Sequence, residues 1–149
     1  MSSKSVTTER ILDEFQELIA GSVLTNERIA RSLGLSVVDW QAFSVIARST
    51  SSMTAGELSA LTQLPTSTTT RVIDRLERRG FVERVPEPTD RRRVVVRPKS
   101  EVLARFTSDG EENPYSAIKE IMRAVHAGFS VEELEVVERY LQALNADFK

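Results

Sequence analysis

Apolar positions recur with helical spacing from about Val6 to Leu33, and Ile11, Phe15, Leu18 and Ile19 fall at i, i+4, i+7 and i+8 on one face. Gly21-Ser22 interrupts the run and predicts a bend or a break between two helices; Gly34 ends it. Ser36 with Asp39 three residues on predicts a capped helix that carries Val37, Trp40, Phe43, Ile46 and Ala47 inward and stops in the Ser/Thr-rich stretch 49–52. Thr54 and Glu57 form a second capping box, opening a short helix over Ala55–Leu61. Thr62 to Pro65 then makes a turn, because the residue before a proline is pushed out of the helical region. The next helix starts at Thr66 or Ser67 and stops at Gly80, which suits a left-handed C-terminal position.

After Gly80 the period shortens to two. Phe81–Val85 and Arg93–Arg97 read as strands, with Arg92, Val94 and Val96 on one face of the second run and Arg93, Val95 and Arg97 on the other. The segment Pro86-Glu87-Pro88-Thr89-Asp90 cannot continue a ladder, since proline lacks the N–H donor, so a hairpin with an exposed basic tip is expected. Helical spacing returns from Asn113 or Pro114 with Tyr115, Ile118, Ile121, Met122 and Val125. Ser130 and Glu133 then cap a last helix bearing Leu134, Val137, Leu141, Leu144 and Phe148. The expected fold is mainly α with one small β-hairpin, a helix-turn-helix followed by a wing and flanked by terminal helices.

In a helix-turn-helix the second helix can enter a major groove only if one face packs on the body and the other reaches base edges. At 100° per residue, Thr69, Val72, Ile73 and Leu76 share the inward face, while Ser67, Arg71, Asp74, Arg75 and Arg78 point away. The hydroxyl run Thr66 to Thr70 sits at the helix N-terminus, where short donors and the helix dipole favour phosphates and base edges; capping alone would account for one or two of those hydroxyls. The candidate DNA contacts on this helix are Thr66, Ser67, Thr68, Thr70, Arg71 and Arg75, whereas Asp74 would repel phosphate and is expected to pair with a neighbouring arginine. At the hairpin tip Asp90, Arg91 and Arg92 complete the set, with Asp90 expected to orient Arg92 for a minor groove. The plainer reading of that basic run is a charged guard against edge-to-edge aggregation.

Charge distribution changes how the acidic net charge of −2 is read. Residues 66–99 hold ten Arg or Lys against five acids, while the other 115 residues hold ten against seventeen. A basic surface on an acidic body suits phosphate binding, which depends on the local patch, although a solvated charged face would look the same.

The stretches Thr54-Ala-Gly-Glu-Leu-Ser, Arg71-Val-Ile-Asp-Arg-Leu-Glu-Arg-Arg-Gly-Phe-Val-Glu-Arg and Asp90-Arg-Arg-Arg-Val-Val-Val resemble the multiple antibiotic resistance regulator (MarR) family of winged helix-turn-helix transcription regulators. The likeness is strong from Gly34 to Arg97 and weaker at both ends. It implies a homodimer joined by helices from residues 1–33 and 110–149, with 34–99 as the DNA-binding domain. It also implies recognition helices in successive major grooves of a pseudo-palindromic operator, about 34–36 Å apart, with wing arginines in the minor groove. Apolar faces at Ile11/Phe15/Leu18 and Leu134/Val137/Leu141/Leu144 agree with a partner, unless they cover each other within one chain. Members of the family commonly bind a small aromatic or anionic effector that weakens DNA binding; Phe15, Leu18, Trp40 and Phe43 are the candidate lining here, with core packing the competing role.

The remaining chemistry is sparse. There is no cysteine for a thiol sensor, and the single histidine, His126, leaves a zinc site short of ligands, so no metal or cofactor is expected. No nucleophile motif surrounds any serine, which argues against an enzyme. No apolar run reaches membrane-spanning length and the N-terminus lacks a signal-peptide core, so a cytoplasmic protein with no membrane partner is expected. A winged module that binds an acidic protein in place of DNA is the alternative from another functional class.

Overall fold

In the computed structural model, which describes residues 3–147, α1 (Ser3–Ser32) is followed by α2 (Val37–Arg48), α3 (Ala55–Thr62) and α4 (Thr66–Arg78). The strands β1 (Val82–Pro86) and β2 (Val94–Pro98) come next, then α5 (Ser100–Thr107), α6 (Ser116–His126) and α7 (Val131–Asp147). Phe148 of the last apolar series lies outside the described residues.

Local chemistry sets most boundaries. Gly34 and Gly80, at φ +66° and +78°, end α1 and α4 in the left-handed region that costs an L side chain energy. Ser36 accepts the Asp39 N–H at 3.1 Å and starts α2. Thr54 and Glu57 make both bonds of the capping box at α3, and Ser130 and Glu133 do the same for α7. The turn after α3 uses Gln63 at φ 56°, and Pro65 rather than a hydroxyl residue occupies the N-cap of α4.

Leu58 from α3, Val72, Ile73 and Leu76 from α4, Trp40, Phe43 and Ile46 from α2, and Val82 and Val96 from the hairpin form one buried cluster. Thr69 joins the inward face of α4, its hydroxyl donating to the Pro65 carbonyl at 3.1 Å. The strands pair antiparallel from Val82↔Pro98 to Pro86↔Val94, and an isolated bridge ties Met53 to Val96 through Val96 N–H to Met53 O at 2.7 Å.

Several expectations are corrected. Helix α1 runs unbroken through Gly21-Ser22: Ser22 returns its hydroxyl to the Ile19 carbonyl and Thr25 to that of Gly21, and one interior glycine costs only about 1 kcal/mol in a thirty-residue helix. Each strand is displaced one residue toward the C-terminus, so Pro86 closes β1 opposite Val94, and the next bond, Glu87 N–H to Arg93 O, needs nothing from proline. Strict alternation fails in β2, where Val95 and Val96 are both buried and Val94 is exposed. Val37 lies on the exposed side of α2. Helix α6 starts at Ser116 because Asn113 is buried as a staple, donating to the Phe106 and Ser108 carbonyls and accepting the Tyr115 N–H.

Helix α5 is absent from the sequence expectations although it completes the core. It buries Val102 and brings Phe106 against Trp40, with ring centroids 5.7 Å apart. Tyr115 packs against both Trp40 and Phe106, at 5.9 and 6.3 Å, and Phe43 meets Phe81 edge-on at 5.3 Å. The terminal helices differ: α6 and α7 bury no residue, and α1 buries only Ile29 and Ala30.

Candidate nucleic-acid interface

Helix α4 has one face sunk in the core and one free. Thr66, Ser67, Thr70 and Arg71 are exposed at its N-terminal half and Thr68 is half-buried. No side chain caps the helix, so Thr66 and Ser67 do not spend their hydroxyls on its first N–H groups. Thr70 donates to the Thr66 carbonyl at 3.0 Å, which leaves its hydroxyl oxygen able to accept. The first turn thus presents hydroxyls and uncapped backbone donors together, the combination that suits a phosphate or a base edge.

Pairing sorts the arginines of residues 66–99 into two groups. Arg75 forks onto Asp39, with Nη2 at 2.6 Å and Nε at 3.0 Å, and the Asp39 side chain is only 5% exposed. That hydrogen bond, more than the attraction of opposite charges, holds the Arg75 guanidinium above its ordinary value despite some burial. Arg84 of β1 reaches back to Asp74 at 2.6 Å and also pairs with Glu77. Asp74 therefore has the arginine partner expected of it, supplied by the adjacent strand. Arg97 pairs with Glu83 at 2.8 Å, and Arg93 with Glu57 at 2.6 Å. Among the described residues of this stretch, Arg71, Arg78, Arg79, Arg91 and Arg92 make no ion pair, Arg78 bonding only the Asp74 backbone carbonyl.

The tip is built differently from expectation. Asp90 takes the backbone N–H of Arg92 at 3.0 Å and its carbonyl takes that of Arg93 at 2.9 Å, so the carboxylate fixes the turn and leaves the Arg92 guanidinium free. Asp90, Arg91 and Arg92 are all exposed. The sequence reading placed Arg75 and Arg92 alike as outward cations; only long-range contacts separate them, because Asp39 lies thirty-six residues before Arg75.

The four residues considered for an effector are divided between environments. Trp40 and Phe43 are 2% and 1% exposed in the aromatic cluster and form the wall of a cavity of about 350 Å³ with Ser44, Arg48, Phe106 and Tyr115. Leu18 borders a second cavity of about 590 Å³ beside α1, and Arg48 and Tyr115 line both. Phe15 is half-buried and lines neither. The Ser44 hydroxyl is buried beside the Tyr115 phenol; burial pushes that phenol up from its ordinary value, against the opposing pull of Arg48 and Ser44.

A sequence model of the MarR family matches residues 33–93, from the end of α1 to the far side of the wing tip. Residues 33–93 of the chain are thus similar to the MarR family. Two relatives in Bacillus subtilis (strain 168), both named as uncharacterized HTH-type transcriptional regulators, fit that placement. YcgE is 37% identical over 97 residues, 65% of this chain and 62% of that protein; YsmB is 34% identical over 99 residues, 65% and 63%. The matched region thus spans less than two thirds of either relative. Among solved structures, a MarR family protein from Bacillus stearothermophilus superimposes with TM-score 0.71 at 25% identity, covering 99% of this chain and 98% of that one. The multiple antibiotic-resistance repressor from Listeria monocytogenes shares the fold with TM-score 0.63 at 16% identity over 99% and 98%. The chain therefore shares the winged-helix fold of these structures, while the family model matches the winged part alone.

Among the described residues, no cluster of histidine, cysteine or carboxylate side chains could hold a metal ion, and no helix is long and apolar enough to cross a membrane.

Proposed function

We propose that this chain is a homodimeric, sequence-specific DNA-binding transcription repressor whose grip on DNA is released by a small aromatic or anionic effector. The observation that supports the DNA-binding reading is the sorting of arginines: Arg75, Arg84, Arg93 and Arg97 are paired with carboxylates, and Arg71, Arg78 and Arg79 on or just past the recognition helix and Arg91 and Arg92 at the wing tip are not. Ser67, Thr68 and Arg71 read bases or phosphates, with Thr66 and Thr70 beside them, and Arg91 and Arg92 reach the flanking minor groove. Arg75 belongs to the candidate contacts by its place on α4, but its head group is committed to Asp39, so we assign it the orientation of the helix.

Dimerisation is supported by what the terminal helices leave uncovered. Ile11, Leu18 and Ile19 on α1 and Val137 and Leu141 on α7 are exposed, and the two series do not bury each other within the chain. Residues 1–33 and 110–149 are accordingly assigned to dimerisation and 34–99 to DNA binding, with α5 bridging them. The effector reading draws on the two cavities sharing Arg48 and Tyr115: a cation, a phenol and the buried Ser44 hydroxyl among aromatic rings suit an aromatic anion. Such a ligand weakens DNA binding only if it favours a poorly spaced pair of recognition helices.

Selection of bound fragments from a genomic library tests the proposal. A shared pseudo-palindrome is the expected product; an unselective pool would point to the acidic-protein-binding module. On the selected site, Arg92→Ala should weaken binding and reduce the salt slope by about one. Substituting Ser67 or Arg71 should relax base preference by ~1–3 kcal/mol, whereas an equal loss on all sequences would mark a backbone contact.

A further inference from the structure

The first strand of the wing is tied to α4 by Arg84 with Asp74 and Glu77, and the second strand is attached near the start of α3 at two points. The first is the backbone bridge between Met53 and Val96. The second, three residues nearer the tip, is the side chain of Arg93, whose Nη2 donates to Glu57 Oε1 at 2.6 Å and whose Nε lies 3.3 Å from Glu87 Oε2. Glu57 is also the residue that caps α3: its other oxygen, Oε2, accepts the Thr54 N–H at 2.7 Å and the Thr54 hydroxyl at 3.0 Å. One carboxylate therefore uses one oxygen on the start of α3 and the other on the wing. Beyond Arg93, among the described residues, no side chain of the tip 88–92 is bonded to the helical body. Arg93 is the last fixed point before the free arginines.

We infer that Glu57 is a positioning residue for the wing, and that its ion pair with Arg93 sets the angle between the wing tip and the recognition helix. The inference rests on the DNA-binding reading above, and it makes Arg93 a structural cation, unlike Arg91 and Arg92. Helix α3 packs on α4 through the shared core, so a wing held to the N-terminus of α3 moves with the recognition helix. The hairpin supports the same point, since Arg93 also closes the loop by accepting the Glu87 N–H through its carbonyl at 2.8 Å.

A conservative variant separates the two jobs of Glu57. Glutamine at N3 of a helix still completes a capping box. Its single carbonyl oxygen, once given to the Thr54 N–H, leaves the amide NH2 facing Arg93, donor against donor. Glu57→Gln thus keeps the cap and breaks the latch, and Arg93→Ala breaks it from the other side. The test is amide hydrogen exchange on the full chain without DNA, followed by anisotropy titrations on the selected site and a scrambled duplex over a range of salt. Expected are faster exchange at the Glu87 and Arg93 amides in both single variants with α3 unchanged, and a specific-to-nonspecific ratio lowered about fivefold, as suits an exposed ion pair. The double variant should lose no more than either single one.

Additive losses in the double variant, or wing exchange and ratio both unaltered in Glu57→Gln, would overturn the latch. So would a salt slope reduced by about one in Arg93→Ala, because Arg93 would then be a phosphate contact. Should the wild type bind no sequence selectively, the DNA reading fails, and the exchange cycle between Glu57 and Arg93 still decides whether the latch exists.

Discussion

The winged body and the terminal helices solve the problem of apolar surface in opposite ways. In the body, Phe43, Leu58, Val72, Ile73 and Leu76 are each no more than 1% exposed, and the aromatic rings of α2, α5 and the turn before α6 close around Trp40. On the terminal helices, residues of the same chemical kind stand in water: Leu18 is 66% exposed, Ile121 64% and Val131 68%. An amphipathic helix gains stability only when its apolar stripe is covered, so the body has its core within the chain, and the arms carry the stripes that the proposed dimer would cover. In the proposed function, the unit that reads DNA is complete within one chain and the device that spaces two such units is not.

That contrast can be broken from either side. The largest effect is expected on the arms, where Val137→Asp with Leu141→Asp should abolish association and leave a chain that sediments as a monomer. The same variant should keep the fluorescence of a buried Trp40, the only tryptophan; a Trp40 exposed to water would show that the body depends on the arms. Phe43→Ala should do the reverse, costing about 3–5 kcal/mol in urea unfolding through the cavity it leaves. Arg75→Ala should cost about 2–3 kcal/mol, because it strands Asp39 inside the protein, and more than Asp39→Ala, after which Arg75 can turn to water. A larger cost for Asp39→Ala would contradict the assignment of the pair as a buried carboxylate served by a half-exposed arginine.

Smaller effects sharpen the comparison further. Arg92→Ala should leave stability within about 0.5 kcal/mol and act on DNA binding alone, since the side chain holds nothing in the fold. The least is expected from acid. The Thr54 backbone N–H and then its hydroxyl, helped by Arg93, keep the Glu57 carboxyl below its ordinary value of 4.5. A lowered carboxyl contributes stability above that value and loses it as pH falls further. The wing amides should therefore hold their protection near neutrality and lose it only below pH 4.5, and loss between pH 5 and 7 would count against Glu57 as the holder.

What could be read from the sequence follows the range of the interactions involved. Caps at Ser36, Thr54 and Ser130 and the left-handed glycines at 34 and 80 are contained in four or five consecutive residues, and they fall where the pattern put them. The inward face of α4 was legible for the same reason, because period alone defines it. Helix α5 escaped notice although Val102, Leu103 and Phe106 have helical spacing, since two turns give little period to detect. The roles of Arg75, Arg84 and Arg93 could not be read at all: their partners are separated from them by six to thirty-six residues, and a charge run looks the same whether it faces carboxylates or water. The candidate interface was thus legible as a location, and its division into free and committed arginines required the fold.

The most direct test concerns spacing. On the selected pseudo-palindrome, the two half-sites are moved apart by five base pairs, half a helical turn, and affinity is measured by anisotropy at fixed salt. Two recognition helices held by a dimer of the arms should then engage only one half-site, and binding should fall most of the way to the nonspecific level, by roughly a hundredfold or more. Affinity indifferent to the spacing would mean that each winged body binds alone, and the account of the arms as the spacing device would be wrong.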